Sequence, residues 1–511
     1  MDILEVVKDL QLMSTTGALS GEVSSVCYNS RSCEENSLFV AVSGLSADGH
    51  GFIDDAISRG ARWIIHEKPF IPPDHITSLQ VSDSRRALGI ASRNFYAHPS
   101  AELCLIGVTG TNGKTTVTYL LESIIAAAGF MPGVLGTVNY RYNGKTFPAP
   151  NTTPESLEFQ KILRQMLDEG VSHCISEVSS HALDLGRVDD CEFDVAVFTN
   201  LSQDHLDYHR TMERYFEAKR RLFRELIPQS GKQHEKRMII NGDDPWGRKL
   251  LEEVGTDGIL TFGLTENQDV QPEEFSLSLE GINAHIRLPG RIFHITSPLI
   301  GRFNLYNILA ATAAAFAVGI DPTIIQQGIA MMEGVPGRME KVSGTGEPYV
   351  FVDYAHTDDA LRKAIENLSG FGGNRMITVF GCGGDRDRGK RPLMGFVAAT
   401  LSDVVIVTSD NPRSENPLTI IGQIEEGVLR KDITRVSEAE LSSAHNEKIY
   451  CIIPDRKEAI ETAIMSAGKN DIVLIAGKGH EDYQIIGKER LFFDDRFVAQ
   501  ECLKKRSEGT L

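Results

Sequence analysis

The stretch Leu103–Thr118, LCLIGVTGTNGKTTVT, restricts this chain more than any other. Leu103, Leu105, Ile106 and Val108 form an apolar run that predicts a buried parallel strand. Gly110-Thr-Asn-Gly-Lys-Thr-Thr116 then makes a tight turn, and Tyr119–Ala128 has helical spacing with Gly129 as a stop. A strand, a glycine loop and a helix N-terminus in that order build an anion site. Backbone N–H groups and the positive end of the helix dipole cradle phosphates, Lys114 reaches the β- and γ-phosphates, and the Thr115 hydroxyl can hold Mg²⁺. The strict pattern G-x-x-x-x-G-K-[ST] wants glycine at 108, where this chain has Val108. The loop is therefore a shortened relative of the P-loop, closed by Gly110 and Gly113. A nucleoside triphosphate is the ligand it predicts, on Gly110, Thr111, Asn112, Gly113, Lys114, Thr115 and Thr116.

At 511 residues, and with roughly 150 residues per domain, the chain has room for three units. A net charge of −18 argues against nucleic acid or an anionic membrane as partner, so basic residues for anionic substrates must be gathered locally. Eight cysteines without a C-x-x-C pair read as reduced thiols of a cytoplasmic protein. The start, MDILEVVKDL, is unlike a signal peptide, and no apolar run reaches about 18 residues, so no membrane insertion is expected.

Residues 1–99 form the first expected unit. Ser37–Val42 and Ala61–Ile65 read as strands, with a helix over 54–60 between them. Ser30 and Arg31 before a strand are able to hold a phosphate or sugar, although surface turns are the plainer reading. Tyr96-Ala-His-Pro-Ser100 marks the first boundary. The second unit, 100–335, adds strands Val134–Val138, Cys174–Glu177 and Val195–Asn200. Asn151-Thr-Thr-Pro-Glu155 should open a helix with Thr153 as cap and Pro154 at its first position. Glu177 arrives at a strand end beside the phosphate loop, where a metal ligand belongs. Two Asp and two His within Leu201–His209 suggest zinc at first sight, but His205 and His209 would need a continuous helix there. Phosphate and Mg²⁺ fit better. From spacing alone, Lys219 is most simply a surface lysine whose stem lies along the apolar stripe. The Ala-rich segment Ile308–Ala317 is a helix whose small residues permit close packing.

The third unit, 336–511, carries four apolar strands: Tyr349–Asp353, Met376–Gly381, Val404–Thr408 and Asp471–Ala476. Separated by helix-length segments, they predict a doubly wound parallel sheet. A charged loop follows the carboxyl end of each strand, where ligands bind in such sheets. These loops predict a second substrate site.

Six motifs now stand in a recognisable order: Gly110–Thr116, Glu177-Val-Ser-Ser-His181, Asn200-Leu-Ser-Gln-Asp-His205, Gly301-Arg-Phe-Asn304, Asp353-Tyr-Ala-His356 and Asp410-Asn-Pro-Arg413. Together they resemble the Mur ligases over nearly the whole chain, and within them the branch that adds the third amino acid. The resemblance implies three α/β domains: a small UDP-binding domain, a central P-loop ATPase domain with a mostly parallel sheet, and a C-terminal Rossmann-like domain. It implies ATP-dependent amide formation on the D-glutamyl side-chain carboxylate of UDP-N-acetylmuramoyl-L-alanyl-D-glutamate, through an acyl phosphate, by a monomer. Catalysis would fall to Lys114, Lys219, Glu177 and His205. Thr115, Glu177, His205 and Lys219 would lie around Mg²⁺, with Lys219 carbamylated by CO₂. Asn304, Arg338 and Asp353 would serve the nucleotide. Tyr28, Ser30, Leu45, Ser46 and Ala47 would hold the UDP end, and Asn151, Thr152, Thr153, Ser179 and Arg187 the muramoyl-peptide. Two positions depart from the pattern: Leu185 replaces a glutamine of some relatives, and Thr357-Asp-Asp replaces Thr-Pro-Asp.

The amino acid to be added is meso-diaminopimelate or L-lysine, and Arg413 decides. Diaminopimelate carries a second carboxylate at its far end, which a guanidinium fork pairs bidentately, worth ~1.5–3 kcal/mol. The same fork repels the terminal ammonium of lysine. Discrimination of ~10³-fold for meso-diaminopimelate is expected, since each 1.4 kcal/mol is tenfold. Arg386, Asp410, Asn411, Pro412, Gly477 and Glu481 complete that pocket by resemblance. The alternatives are the same ligase adding L-lysine, another Mur ligase, or a folylpolyglutamate-type ligase.

Overall fold

A computed structural model describes residues 1–44, 47–232, 236–255, 257–343, 348–441 and 447–508. The candidate residues Leu45 and Ser46 lie outside the described residues. The architecture is α/β, built on sheets of five, eight and seven strands. Two compact units result: Met1–Glu274 with Ala284–Ile295 and Tyr306–Met332, and Phe275–Asn283 with Thr296–Leu305 and Glu333–Leu511.

In the first unit, the five-stranded sheet runs Leu12–Thr16, Thr77–Val81, Ala61–His66, Ser37–Val40, Ser25–Cys27. Its pairings are parallel except at Leu12–Thr16. Trp63 and Leu38 pack on one face, Phe39 and Ile64 on the other. The eight-stranded sheet places Cys104–Thr109 centrally, between Val195–Phe198 and His173–Glu177. Both pairings are parallel, so three strand ends emerge side by side. Arg237–Asn241 and Ile259–Phe262 extend one edge in parallel. Pro132–Leu135 and the antiparallel strands Tyr140–Tyr142 and Lys145–Phe147 form the other. Central strands buried on both faces must be apolar throughout, and the 104–109 run was legible for that reason. In the Ala-rich helix, Ala310, Ala311, Ala313, Ala314 and Ala315 are fully buried, as small residues permit.

In the second unit, Tyr349–Asp353, Ile472–Ala476, Met376–Phe380 and Val404–Val407 lie adjacent and parallel. Phe351, Phe380, Val405 and Leu474 point to one core, and Val350, Ile377, Ile406 and Val473 to the other. Three strands of this seven-stranded sheet went unread. Ile449–Ile452 and the two-residue Thr434–Arg435 extend one edge in parallel, and Glu340–Lys341 adds an antiparallel strand at the other. The two-residue strands are too short to show a period.

Three expectations need correction. The helix after Pro154 is Ser156–Asp168 with Glu155 at its N-cap, not Thr153. The Thr153 hydroxyl instead donates to the Glu177 carbonyl at 2.8 Å and accepts from the Ser179 amide. The strand at 134 ends at Leu135, because the following Thr137 turns to bond Glu177. Lys219 is no surface lysine: it is 1% exposed.

All eight cysteines are free thiols, seven of them buried and Cys104 partly so. Burial pushes Cys104, Cys382 and Cys451 up to about 12. No helix among the described residues is long and apolar enough to cross a membrane.

Candidate functional site

The phosphate loop needs its glycines. Gly110 and Gly113 have φ of +142° and +88°. A Cβ at Gly110 would overlap the Thr199 hydroxyl, and one at Gly113 the Asn307 amide. Lys114 opens the Lys114–Ala127 helix, and its ammonium donates to the Gly110 and Thr111 carbonyls at 3.0 and 2.9 Å. The loop after the neighbouring strand braces it. Asn200 Oδ1 accepts from the Asn112 amide at 3.0 Å, and Thr199 Oγ1 donates to the Asn112 carbonyl at 2.7 Å. Thr115 and Thr116 follow Lys114 in the first turn and are buried.

Glu177 ends the adjacent strand and is 1% exposed. Its two oxygens accept from the Thr137 amide at 2.9 Å and the Thr137 hydroxyl at 3.0 Å. Thr137 in turn meets the Thr152 hydroxyl at 3.0 Å. Gly136 has no Cβ to displace the carboxylate; one would lie 2.6 Å from Oε1. Arg187 donates to the Thr153 carbonyl at 3.2 Å and pairs with Glu155. Ser179 caps the short helix Ser180–Asp184. The Tyr140 hydroxyl donates to the Asn151 carbonyl. The structure thus gathers Thr152, Thr153, Ser179 and Arg187 around the Glu177 strand end. Tyr28 reaches the same region, with its hydroxyl 3.2 Å from Glu158, and burial pushes its pKa up. Ser30 is buried in a short turn, while Ala47 is exposed.

Lys219 lies beneath the phosphate loop, donating to the Gly110 carbonyl at 2.8 Å, with Nζ 4.7 Å from the Tyr215 ring centre. Burial holds its ammonium well below the ordinary value, and the Lys114 charge adds to the effect. His205 caps the short helix Leu206–His209 at φ 52°, its ring 5.0 Å from His181 and 6.1 Å from Tyr215. His209 bonds the Ser180 hydroxyl at 2.9 Å, and its ring, like that of His205, also meets His181 and Tyr215, at 5.4 and 5.1 Å.

The donors suit a hard cation. Each Glu177 oxygen receives one hydrogen bond and keeps further lone pairs, and the Thr115 hydroxyl adds a neutral oxygen. No three His, Cys, Asp or Glu side chains converge as a metal cage among the described residues. A phosphate-bound Mg²⁺ needs none, because waters and phosphates supply most ligands. A lysine ammonium is the one poor ligand in the set.

Asn304, Arg338 and Asp353 belong to the second compact unit, whereas Lys114 belongs to the first. Asn304 is buried and donates to the Ile300 carbonyl at 2.8 Å. Asp353 accepts from the Met339 and Ala355 amides at 2.7 and 2.8 Å. Burial raises its pKa, against the nearby Arg338 charge. Arg338 lies over the Tyr354 ring at 5.1 Å. At the Thr357-Asp-Asp departure the helix is properly built: Thr357 caps Asp358–Ser369, and the two acids complement its N-terminal dipole.

The second cluster sits at the ends of two strands in the same unit. Asp410 and Asn411 are buried. Asn411 donates to Glu481 Oε2 at 2.9 Å, and the Arg413 guanidinium donates to the Gly384 carbonyl at 2.8 Å. Arg413 holds φ 50°. Its amide donates to the Ile485 carbonyl at 3.0 Å, and the Gly487 amide returns a bond to the Arg413 carbonyl at 2.8 Å. These two bonds anchor the loop to the Tyr483–Ile486 strand. Pro412 is buried within the loop, and exposed Arg386 lies with Arg413 beside Gly383. Gly477, at φ +121°, lets its loop pass Asp410. Glu415 is taken by Arg391 at 2.9 Å and Arg388 at 3.3 Å, so it is not the partner of Arg413.

Two residues here escaped the sequence reading. Arg456, fully buried, pairs with Asp495 through two hydrogen bonds of 2.8 and 2.7 Å. It also donates to the Ser409 and Ala476 carbonyls at 3.3 and 3.0 Å, the residues just before Asp410 and Gly477. Lys478 is fully buried as well. Its place within the Gly477–Glu481 motif was the only available signal.

Three family models match the chain: the Mur ligase family, catalytic domain over residues 22–96, the Mur ligase middle domain over 108–315, and the Mur ligase, glutamate ligase domain over 337–479. A UDP-N-acetylmuramoyl-L-alanyl-D-glutamate--2,6-diaminopimelate ligase of Geobacter metallireducens is 45% identical, over 94% of each chain. The enzyme of the same name from Solibacter usitatus is 46% identical, also over 94% of each. A solved structure of a ligase with that name aligns with a TM-score of 0.73 at 32% identity, covering 99% of both chains. The chain belongs to the Mur ligase family.

Proposed function

We propose that this chain is the ATP-dependent ligase that adds meso-2,6-diaminopimelate to the D-glutamyl side-chain carboxylate of UDP-N-acetylmuramoyl-L-alanyl-D-glutamate, in peptidoglycan precursor synthesis. The observation that carries the choice of amino acid is Arg413. Its guanidinium is held by the Gly384 carbonyl and has no carboxylate at ion-pair distance among the described residues, while Glu415 is already matched. A fixed cation at a strand end suits the distal carboxylate of diaminopimelate and opposes the bare ammonium of lysine. The names of the relatives support the same reading. Free, buried thiols support a cytoplasmic site of action. Domain boundaries near 99 and 335, and a monomeric state, belong to the same proposal.

A carboxylate is a poor electrophile, so the γ-phosphoryl group moves first onto the D-glutamyl carboxylate. The amine then attacks the acyl carbon, and ADP, phosphate and the amide leave. The protein's part is positioning and charge neutralisation. Gly110–Thr116 cradle the phosphates and Lys114 turns from its loop carbonyls to the β- and γ-oxygens. Asn304, Arg338 and Asp353 hold the nucleotide, and Tyr28, Ser30, Asn151, Thr152, Thr153, Ser179 and Arg187 hold the UDP-muramoyl-dipeptide. Thr115, Glu177, His205 and carbamylated Lys219 would hold Mg²⁺, which supplies neutralisation of phosphate charge when bound. The depressed ammonium of Lys219 supports carbamylation, since a neutral amine is the form that adds to CO₂. Its lone pair bonds the carbon, one C=O pair moves to oxygen, and the amine proton leaves to water. Arg386, Asp410, Asn411, Pro412, Arg413, Gly477 and Glu481 receive the amino acid.

The test is phosphate release with UDP-muramoyl-dipeptide and a panel of amino acids. Turnover should require both substrates, with kcat/KM for meso-diaminopimelate at least ~10³-fold above lysine. Arg413→Ala should lose diaminopimelate use far more than ATP binding. Comparable kcat/KM for the two amino acids would sink the choice.

A further inference from the structure

We propose that Lys478 is a positioning residue that sets the affinity and selectivity of the amino-acid site, by fixing Asn411 and Glu481 from below. This rests on the reading of Asp410–Arg413 and Gly477–Glu481 as that site. Lys478 Nζ lies 3.3 Å from Asn411 Oδ1, 3.5 Å from Glu481 Oε2 and 3.6 Å from Asp410 Oδ1. The side chain is 0% exposed, and the Tyr483 ring centre lies 5.5 Å from Nζ.

Each contact constrains a group that faces the ligand. Asn411 Oδ1 accepts from the Ile485 amide at 2.9 Å as well as from Lys478. Two donors at the oxygen fix which way the amide points, and Nδ2 is thereby turned to Glu481 Oε2 at 2.9 Å. Oε2 thus carries two donors, and Oε1 carries none among the described residues. That oxygen is kept for the distal ammonium, and the second Nδ2 proton for the distal carboxylate. Asp410 Oδ1 is buried without a hydrogen bond, and the Lys478 charge is what balances it.

Charge gives the selectivity. Lys478 offsets the Asp410 and Glu481 carboxylates in part, while Arg413 and exposed Arg386 add positive charge beside Gly383. The far end of diaminopimelate brings a carboxylate with its ammonium, whereas lysine brings a cation alone. Removing the Lys478 charge makes the pocket less positive by one, which disfavours the distal carboxylate and favours the lysine ammonium.

The experiment compares Lys478→Met, Lys478→Arg, Glu481→Gln, Arg413→Ala and the Lys478→Met/Glu481→Gln double variant in the full-length enzyme. KM is measured for meso-diaminopimelate, ATP and UDP-muramoyl-dipeptide, together with kcat/KM for L-lysine. Lys478→Met should raise KM for diaminopimelate about 30-fold or more while the other two KM values move less than about threefold. The ratio of diaminopimelate to lysine kcat/KM should fall by about tenfold or more. Lys478→Arg should restore part of the affinity, and the double variant should lose much less than the product of the single losses. If Lys478→Met does not fold, Lys478→Arg and the double variant, which leaves no unmatched Glu481 charge, read the same quantities. Equal weakening of all three substrates, or additivity in the double variant, would overturn the proposal. So would an unchanged diaminopimelate KM in the Lys478 variants while Glu481→Gln and Arg413→Ala raise it. An unchanged KM in all of them would instead remove the amino-acid site from these loops.

Discussion

Lys219 shows how much one burial can change. A lysine in a helix with apolar neighbours ordinarily runs its stem along the surface, yet here the whole side chain is enclosed and its ammonium donates to the Gly110 carbonyl. Burial and the Lys114 charge both favour the neutral amine. Lys219→Ala should therefore be nearly inactive, with partial recovery in short-chain carboxylates that take the place of the carbamate. Wild-type activity should fall in CO₂-depleted buffer and return with bicarbonate. Indifference to bicarbonate, together with no rescue, would count against carbamylation. Lys114 is a different case, because its two loop contacts are to carbonyls that the backbone cradle can leave to water. Lys114→Ala should abolish ligation and leave the thermal midpoint within a few degrees of the wild type. Normal ATP affinity with full turnover would remove the P-loop role.

Elements at the strand ends depend on buried cations that local sequence does not reveal. Strands 104–109, 376–380 and 472–476 were legible because burial on both faces demands continuous apolar runs. The loops after them were legible because glycine and charge cluster at the carboxyl ends. Arg456 was not, since its partner Asp495 is 39 residues away on another helix. Neither residue carries a local sign of burial. Thr153 was misread as a cap for a similar reason: the Glu177 carbonyl that claims its hydroxyl lies 24 positions further on. The Arg456 clamp predicts an asymmetric cost. Arg456→Met leaves Asp495 charged, buried and unpaired, a loss of about 3–5 kcal/mol. Arg456→Met/Asp495→Leu should regain most of it, because an apolar pair of similar volume avoids the desolvation penalty. Chemical denaturation of the three proteins checks this, and equal losses in the single and double variants would refute it.

Stability of the whole molecule should carry a pH signature from Asp190. Burial pushes its carboxyl up to about 6, against the attraction of Arg93 at 3.7 Å. A folded-state pKa above the ordinary 3.8 means that the folded chain binds the proton more tightly than the unfolded one. The stabilising contribution is complete below about pH 4 and is lost as pH rises through about 6. Asp190→Asn should therefore melt higher than the wild type at pH 7–8, by about 1–3 kcal/mol, and match it near pH 4. Arg93 would not be stranded, since it also bonds Asp9 and Asn94. Calorimetry across pH 4–8 decides, and a deficit at neutral pH would show that the Arg93 attraction outweighs burial.

The enclosed thiols described above have a practical corollary. Maleimides and iodoacetamide consume thiolate at a rate set by access and ionisation, and the native cysteines are largely shielded from both. A single cysteine introduced at exposed Phe492, on the hairpin beyond Glu481, would outpace them in labelling. A fluorophore placed there would report amino-acid binding in an otherwise native chain, without stripping the protein of its own sulfur.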